Sequence, residues 1–171
     1  RLLCDAGIPT AQPMGIVELT PEREYMLVTE FFDGSQEIGD AEVDDQIIDE
    51  GLALIRQLWD AGIAHRDIKP ANLLVQDGHL RLIDVAFVQV RPSPWREAVD
   101  LANMMLVVAV RTDAERVYQR GLAYFTPEVA AGEGERQEPP AELRPLLEEV
   151  MALLQDATFY DLRRVWLDSP S

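Results

Sequence analysis

The sequence predicts an α+β fold that is predominantly α-helical. Long segments, above all 47–59 and 101–110, carry apolar residues at helical spacing. Two other stretches, 15–30 and 73–83, contain short apolar runs joined by turn-forming residues, which is typical of β-hairpins. With 171 residues, 47% of them hydrophobic, the chain fits one domain with a substantial core.

The first hairpin is predicted from two apolar-rich runs, 15–18 and 25–30. The turn-forming cluster Thr-Pro-Glu-Arg at 20–23 separates them. We expect the two runs to pair as antiparallel strands.

A long helix is predicted after an acidic stretch, 37–50. Its core face carries apolar residues at helical spacing: Ile47, Ile48, Leu52, Ile55, Leu58 and Trp59. Either Asp44 or Asp45 can cap its start, and Gly62 suits a cap at its end. The acidic residues form either a solvated face or an acidic binding surface, and we favour solvation.

Residues 65–75, His-Arg-Asp-Ile-Lys-Pro-Ala-Asn-Leu-Leu-Val, contain the only lysine of the chain, Lys69. The other fourteen positive charges are arginines, so a lone lysine is either a chance of composition or a site where arginine does not fit. Asp67, Lys69 and Asn72 place a carboxylate, a compact positive charge and an amide oxygen within one short loop. Such groups can handle a hydroxyl, a phosphate and a metal ion.

A second hairpin follows the loop directly. Apolar runs at 73–75 and 80–83 flank the turn Gln-Asp-Gly at 76–78, and the second run ends at Asp84. The hairpin therefore brings a second carboxylate beside the loop.

The segment 101–110 is apolar nearly all round and follows Asp100. It is too short to cross a membrane, which requires about 20 residues, so we expect a centrally buried helix. Farther along, 113–125 and 143–154 show helical spacing, with a Gly/Glu and Pro-rich connection at 132–140. Residues 158–167 are predicted as a last short helix with Trp166 as an apolar anchor, and a partner-docking tail is the alternative.

The order of these motifs resembles the catalytic core of the eukaryotic-type protein kinase superfamily, where a loop H-R-D-x-K-P-x-N precedes a metal-binding Asp by one hairpin. The resemblance implies that residues 1–30 are the tail of a small lobe, 31–36 a hinge, and 37–171 a helical large lobe with catalytic loop 65–72. It further implies that Asp100 hydrogen-bonds the backbone of that loop.

The resemblance also implies roles for the loop residues. Asp67 would accept or orient the proton of the attacking hydroxyl, and Asn72 and Asp84 would hold Mg²⁺ at the nucleotide phosphates. Lys69 would contact the γ-phosphate, where a planar guanidinium fits poorly.

For the ATP pocket, the resemblance places Thr29 at the gatekeeper position. The backbone carbonyl of Glu30 and the N–H of Phe32 would face the adenine edge, and Leu74 would form the pocket floor. The alternative is that Phe31 and Phe32 are ordinary core aromatics at the end of a strand.

The chain also departs from the usual pattern. Val85 and Ala86 follow Asp84 where protein kinases have Phe and Gly, only 87–99 separate this motif from Asp100, and no A-P-E motif occurs. The arrangement is similar to RIO-like and lipopolysaccharide-kinase-like enzymes. We therefore expect no regulation by activation-loop phosphorylation. The acceptor hydroxyl is expected to belong either to a protein or to a small molecule.

The sequence opens at Arg1 without a Gly-rich loop or a strand lysine before the hinge. We expect a fragment that binds nucleotide weakly by itself. The predicted function is an ATP- and Mg²⁺-dependent phosphotransferase. The alternative is a pseudokinase or nucleotide-sensing module of a larger protein, which Arg163 and Arg164 could join to a membrane segment.

Composition limits the partners and the compartment. A net charge of −16 argues against nucleic acid and anionic membranes, which both attract positive surfaces. The single cysteine, Cys4, is compatible with a reducing cytoplasm, where we expect the chain to reside, free or on the cytoplasmic face of a membrane protein. His65 and His79 have no cysteines or histidines around them in the sequence, so we expect no zinc site.

Overall fold

The fold is α+β, as the sequence predicts. A computed structural model describes residues 1–20 and 24–125, about 43% of which are helical. The helices are α1 (Leu2–Asp5), α2 (Asp45–Asp60), α3 (Pro94–Arg111) and α4 (Ala114–Phe125), with a 3-10 turn at Pro70–Asn72. The strands are β1 (Pro13–Glu18), β2 (Tyr25–Thr29), β3 (Gln36–Glu37), β4 (Ile63–Ala64), β5 (Leu73–Gln76), β6 (His79–Leu82) and β7 (Gln89–Val90).

The strands form three small antiparallel sheets. β1 pairs with β2, β5 lies between β3 and β6, and β4 pairs with β7. Both predicted hairpins are present. Asp77 and Gly78 link β5 to β6 with φ of 52° and 75°, and two consecutive residues of positive φ are the requirement of a tight type I′ turn.

Helix α2 is the centre of the core. Its N-cap is Asp44, whose carboxylate accepts the N–H of Ile47 at 3.0 Å. It packs against α3, α4, β4 and β6. Of the apolar face predicted from the sequence, Ile47, Ile48, Leu52, Ile55 and Leu58 are at most 2% exposed, and Trp59 is partly buried against the core. Leu54, which was not predicted, is buried as well.

The acidic face of α2 makes specific contacts within the protein, whereas the sequence favoured simple solvation. Asp45 pairs with both Arg116 and Arg120 of α4, and Asp49 pairs with Arg120 at 2.6 Å. Glu50 accepts the backbone N–H of Leu80 at 2.7 Å. The acidic residues therefore connect α2 to α4 through arginine side chains and to β6 through a backbone N–H, and all these partners lie far away in sequence.

Helix α3 is the buried apolar helix expected around 101–110, although it begins earlier, at Pro94. Proline suits a first helical turn because its missing N–H has no partner there. The buried residues of α3 are Ala98, Asp100, Leu101, Met104, Met105, Val107, Val108 and Ala109. Among the described residues, no helix is both long and apolar enough to cross a membrane.

Residues 1–10, which the sequence grouped with the hairpin, pack against the helical body. Leu3 and Ile8 belong to the main core. The carbonyl of Pro9 accepts the N–H of Leu82 at 2.8 Å, and Thr10 forms a parallel bridge with Leu82. This segment therefore extends the β6 edge of the body.

The β1–β2 hairpin differs from the body because its side chains are exposed. Met14 is 75% exposed and Ile16 is 70% exposed, and every residue of β2 is exposed as well. A two-stranded hairpin has little stability of its own. Several predicted features lie outside the described residues: the turn tip at 21–23, the segments 132–140, 143–154 and 158–167, and the pair Arg163 and Arg164.

Candidate functional site

Asp100 of α3 anchors the loop 65–72 through hydrogen bonds to the loop backbone. The carboxylate of Asp100 accepts the backbone N–H of His65 at 2.6 Å and that of Arg66 at 2.9 Å. Burial raises the pKa of Asp100 to about 6, and the two N–H groups oppose this rise because they stabilise the ionised form. The contact that the family resemblance implied for Asp100 is therefore present.

Asp67, Lys69 and Asn72 form one hydrogen-bonded cluster. Lys69 Nζ lies 2.8 Å from Asp67 Oδ2. Asn72 Nδ2 donates to both the backbone carbonyl and Oδ2 of Asp67, each at 2.8 Å. The 3-10 turn Pro70–Asn72 folds the loop back on itself, so that residues two and five positions after Asp67 meet its carboxylate.

The electrostatics of this cluster favour a charged Asp67. Partial burial raises its pKa, but the hydrogen bonds from Lys69 and Asn72 outweigh burial, and the net effect is a pKa below the usual range. The hydrogen bond to Asp67 raises the pKa of Lys69. Asp67 is therefore an ionised carboxylate at neutral pH, held beside a permanent positive charge.

Asp84 is brought next to this cluster by β6. The N–H of Ile83 donates to the carbonyl of Asn72 at 3.0 Å, and the Asp84 charge contributes to the raised pKa of Lys69. Asp84 is exposed, and its Oδ1 accepts only a long hydrogen bond, 3.4 Å, from the N–H of Ala86.

The oxygen atoms available here fit Mg²⁺ bound together with phosphates. The Asn72 amide uses its nitrogen for Asp67, which leaves its oxygen as a ligand, and Asp84 supplies a carboxylate. Mg²⁺ is usually held by one or two protein oxygens plus water and substrate phosphates. Within residues 1–20 and 24–125, no group of three or more His, Cys, Asp and Glu side chains is arranged to hold a metal ion.

His65 is buried completely beneath the site. Neither ring nitrogen has a hydrogen-bond partner of good geometry among the described residues. Burial lowers its pKa, against the opposing effects of the Ile83 backbone and of the Asp67 and Asp84 carboxylates. The imidazole is therefore neutral and supports the loop by packing.

Backbone strain is concentrated around this loop. Apart from the turn residue Asp77, the non-glycine residues of positive φ in the described chain are Arg66 at 70°, Asp84 at 58° and Arg91 at 52°. Such conformations are costly for residues with a Cβ atom and persist where surrounding contacts impose them, often at functional sites. Arg66 and Asp84 flank the cluster, so the strain supports a functional role for it.

The predicted hinge runs over the outer face of the β3-β5-β6 sheet. The guanidinium of Arg81 lies 5.6 Å from the centroid of the Phe32 ring, and Gln76 Nε2 donates to the carbonyl of Asp33 at 2.9 Å. Leu74 pairs with Arg81 across the strands, so its side chain shares that face. The structure thus brings Phe32 and Leu74, two predicted pocket residues, to the same side of one sheet.

The two phenylalanines of the hinge differ in burial. Phe32 is 8% exposed, whereas Phe31 is 83% exposed, so only Phe32 fits the alternative of a core aromatic. Among the described residues, no hydrogen bond engages the carbonyl of Glu30 or the N–H of Phe32, the two groups expected at the adenine edge. The N–H of Glu30 donates to Gln12, which ties the hinge to the hairpin.

A half-open cleft of about 440 Å³ lies beside the hinge, lined by residues that include Gly34, Val75 and Asp77. Val75 follows Leu74 in β5 and therefore points to the opposite face of the sheet. This cleft is separate from the loop cluster and from the face of Leu74.

Sequence reasoning missed the anchors of the hinge, Gln76 and Arg81. The alternation of β6, His-Leu-Arg-Leu, was a usable signal, because it places Arg81 on the face opposite the buried Leu80 and Leu82. The positive φ of Arg66 could not be predicted from the sequence, since an arginine side chain gives no sign of this backbone conformation.

No protein-family model and no curated protein matches this chain.

Proposed function

We propose that the chain carries the phosphate-transfer centre of a protein-kinase-like phosphotransferase, which uses ATP and Mg²⁺ and transfers the γ-phosphate to a hydroxyl. The observation that carries this proposal is the cluster of Asp67, Lys69 and Asn72 on one backbone-anchored loop, with Asp84 delivered beside it. In this proposal the helical body is the large lobe and the β1–β2 hairpin is part of the small lobe.

The reaction is an in-line displacement. The acceptor oxygen forms a bond to the γ-phosphorus, the bond from that phosphorus to the β,γ-bridging oxygen breaks, and ADP leaves with the bonding electrons. The hydroxyl proton passes to a carboxylate oxygen of Asp67. The low pKa of Asp67 makes it a weak base, which suits a loose transition state in which the proton moves late.

Lys69 has two partners in this scheme. Without nucleotide it neutralises Asp67 at 2.8 Å, and with nucleotide its ammonium can contact both Asp67 and the γ-phosphate. A compact ammonium group suits this position because its three donors can be shared among closely spaced oxygens, whereas a guanidinium is planar and larger.

Asn72 and Asp84 would hold Mg²⁺, which supplies charge neutralisation at the phosphate oxygens when it is bound. The amide oxygen of Asn72 is oriented by the two hydrogen bonds that its nitrogen donates to Asp67. This arrangement couples the position of the metal ligand to that of the base. At the other end of the nucleotide, the carbonyl of Glu30 and the N–H of Phe32 would pair with adenine above Leu74.

The test is phosphoryl transfer from ATP by the natural protein that carries these residues. Asp67→Ala is expected to lower transfer by roughly 10²–10⁴ with little change in nucleotide affinity, because the carboxylate acts on the acceptor proton. Asp60→Ala, which removes an exposed carboxylate of α2, is the matched control and should keep full activity. Equal turnover in wild type and Asp67→Ala would reject the catalytic role.

The alternative is a module that binds nucleotide without transferring phosphate. A thermal-shift titration with Mg-ATP separates the two functions, since both require stabilisation by ATP and only the first requires turnover. The binding module would be favoured by two results together: ATP stabilises the protein only when Asp84 is present, and no phosphoryl transfer depends on Asp67. Absence of any shift in the natural protein would count against both.

A further inference from the structure

Two exposed arginines lie on one side of the catalytic loop. Arg66 directly precedes Asp67, and Arg96 is four residues before Asp100 on α3. Residues four apart share a helix face, and Asp100 points to the loop, where it binds the N–H of Arg66. Arg96 therefore lies on the face of α3 that carries Asp100, and the charges of Arg66 and Arg96 both act on the Asp100 carboxylate.

These two positive charges are unusual in a chain with a net charge of −16. In the part of the chain that the structure describes, Arg1, Arg56, Arg116 and Arg120 are paired with carboxylates, Arg81 lies over the Phe32 ring and Arg111 donates to the carbonyl of Ala41, whereas Arg66, Arg91 and Arg96 have no such side-chain contact. Asp100 lies near both arginines, but it is buried and both its oxygens accept backbone N–H groups. An anion from outside could satisfy both guanidinium groups.

The surroundings indicate the kind of molecule. Trp95, which precedes Arg96 on the first turn of α3, is 58% exposed and presents an apolar ring at the same end of the helix. Between Asp84 and Asp100 the chain has one strand, the two-residue β7, which is already paired with β4. This segment therefore has no long free strand edge on which an extended peptide could lie.

We propose that Arg66, Arg96 and Trp95 form an acceptor-side surface that binds a phosphate or carboxylate group, so that the acceptor of the reaction is a small anionic hydroxyl compound. This inference rests on the proposed function, because it places the acceptor next to Asp67. Guanidinium groups bind such anions through paired, charge-assisted hydrogen bonds. The strained backbone of Arg66 holds its side chain outside the loop while its N–H stays on Asp100.

The experiment measures binding of inorganic phosphate without nucleotide, by calorimetry at low ionic strength and by NMR of the arginine side-chain Nε–H signals. Arg96→Gln and Arg66→Gln are each expected to weaken phosphate binding about tenfold, since each removes a charged hydrogen-bond donor. Arg91→Gln is the matched control. Arg91 is also exposed, but it lies at the opposite end of the β4–β7 pair, next to Gly62, and its replacement should leave phosphate binding unchanged.

The outcomes separate this inference from the proposed function. Equal phosphate binding in wild type, Arg66→Gln and Arg96→Gln would overturn the acceptor-side surface even if Asp67→Ala abolishes transfer. Arginine-dependent phosphate binding supports the surface even if Asp67→Ala has no effect on transfer, a result that rejects only the catalytic role. An oligoglutamate peptide that binds the same arginines more tightly than phosphate would overturn the small-molecule assignment. Thermal unfolding shows whether each variant is folded. If Arg66→Gln does not fold, Arg96→Gln, which changes a residue on a helix surface, still tests the proposal.

Discussion

The carboxylate of Asp100 accepts the backbone N–H of His65 at 2.6 Å, which joins helix α3 to a loop 35 positions earlier in the chain. The same carboxylate also accepts the N–H of Arg66, so two hydrogen bonds hold the loop to α3. Because the loop has no regular ladder of its own at this point, these bonds set the orientation of the residues that follow, including Asp67.

Removing this anchor should destabilise the protein. Asp100→Ala leaves the buried N–H of His65 and the partly buried N–H of Arg66 without acceptors, and each buried donor without an acceptor costs about 1–3 kcal/mol. We expect the free energy of unfolding, measured by urea denaturation, to fall by roughly 2–5 kcal/mol. Asp60→Ala, at an exposed ion pair, should change it by no more than about 0.5 kcal/mol. Similar small losses in both variants would contradict the anchoring role.

The raised pKa of Asp100 also predicts a pH dependence. Its folded pKa, about 6, lies above the value of about 3.9 expected in the unfolded chain, so the folded state binds this proton more tightly. The part of the contribution of Asp100 to stability that comes from this proton is therefore fully present below about pH 4 and is lost as pH rises through 6. Glu97, whose pKa burial also raises, acts in the same direction.

Other groups oppose this trend. Burial lowers the pKa of His65, so its contribution is lost as pH falls, and Asp67 has a lowered pKa with the same effect. The comparison with Asp100→Asn cancels these contributions. Between pH 4 and 7, wild type should lose about 2 kcal/mol of unfolding free energy relative to Asp100→Asn. Parallel pH profiles of the two proteins would show that the pKa of Asp100 is not raised.

The cluster around Asp67 predicts how its carboxylate titrates. Lys69→Met removes the nearest positive charge and a hydrogen-bond donor, so the pKa of Asp67 should rise from its lowered value. Carbon-13 NMR of the Asp67 carboxyl group measures this change. Arg56→Met, which removes a cation paired with Asp60 on α2, is the control and should leave the Asp67 titration unchanged. An unchanged titration in Lys69→Met would mean that the ion pair does not form in solution.

The N-cap of α2 gives a test of the fold. Asp44→Ala removes the acceptor for the N–H of Ile47 and should lower the free energy of unfolding by about 1 kcal/mol. Glu42→Ala, two residues earlier and also exposed, should have almost no effect. A loss of equal size in both variants would point to general charge effects and not to capping.

Much of this fold is readable from local sequence patterns. The apolar spacing of 47–59 predicted α2, and the Gln-Asp-Gly turn predicted the β5–β6 hairpin, because both patterns report contacts close in sequence. The approach of Asp67, Lys69 and Asn72 also follows from their short separation. The pairing of β3 with β5 and of β4 with β7 was not predicted, because two-residue strands have no periodicity to detect.

Contacts between distant residues explain the other differences. The ion pairs of Asp45 with Arg116 and Arg120 join residues about 70 positions apart, so the sequence offered only a charged face. The packing of residues 1–10 on β6 likewise depends on a core assembled from the whole chain. The contact of Arg81 with the Phe32 ring is also one between residues distant in sequence. Strand alternation predicted which face of the sheet carries Arg81, but not its partner.

In the proposed function, Asn72 and Asp84 hold a metal ion on the phosphates of ATP. Mn²⁺ accepts the same oxygen ligands as Mg²⁺ and broadens the NMR signals of nearby nuclei. With Mn²⁺ and ATP, the backbone signals of Lys69, Asn72 and Asp84 should disappear in wild type and persist in Asp84→Asn, whereas Asp77→Asn, on the distant β5–β6 turn, should behave like wild type. Broadening that is the same with and without the Asp84 carboxylate, or that is confined to other acidic residues, would contradict the account.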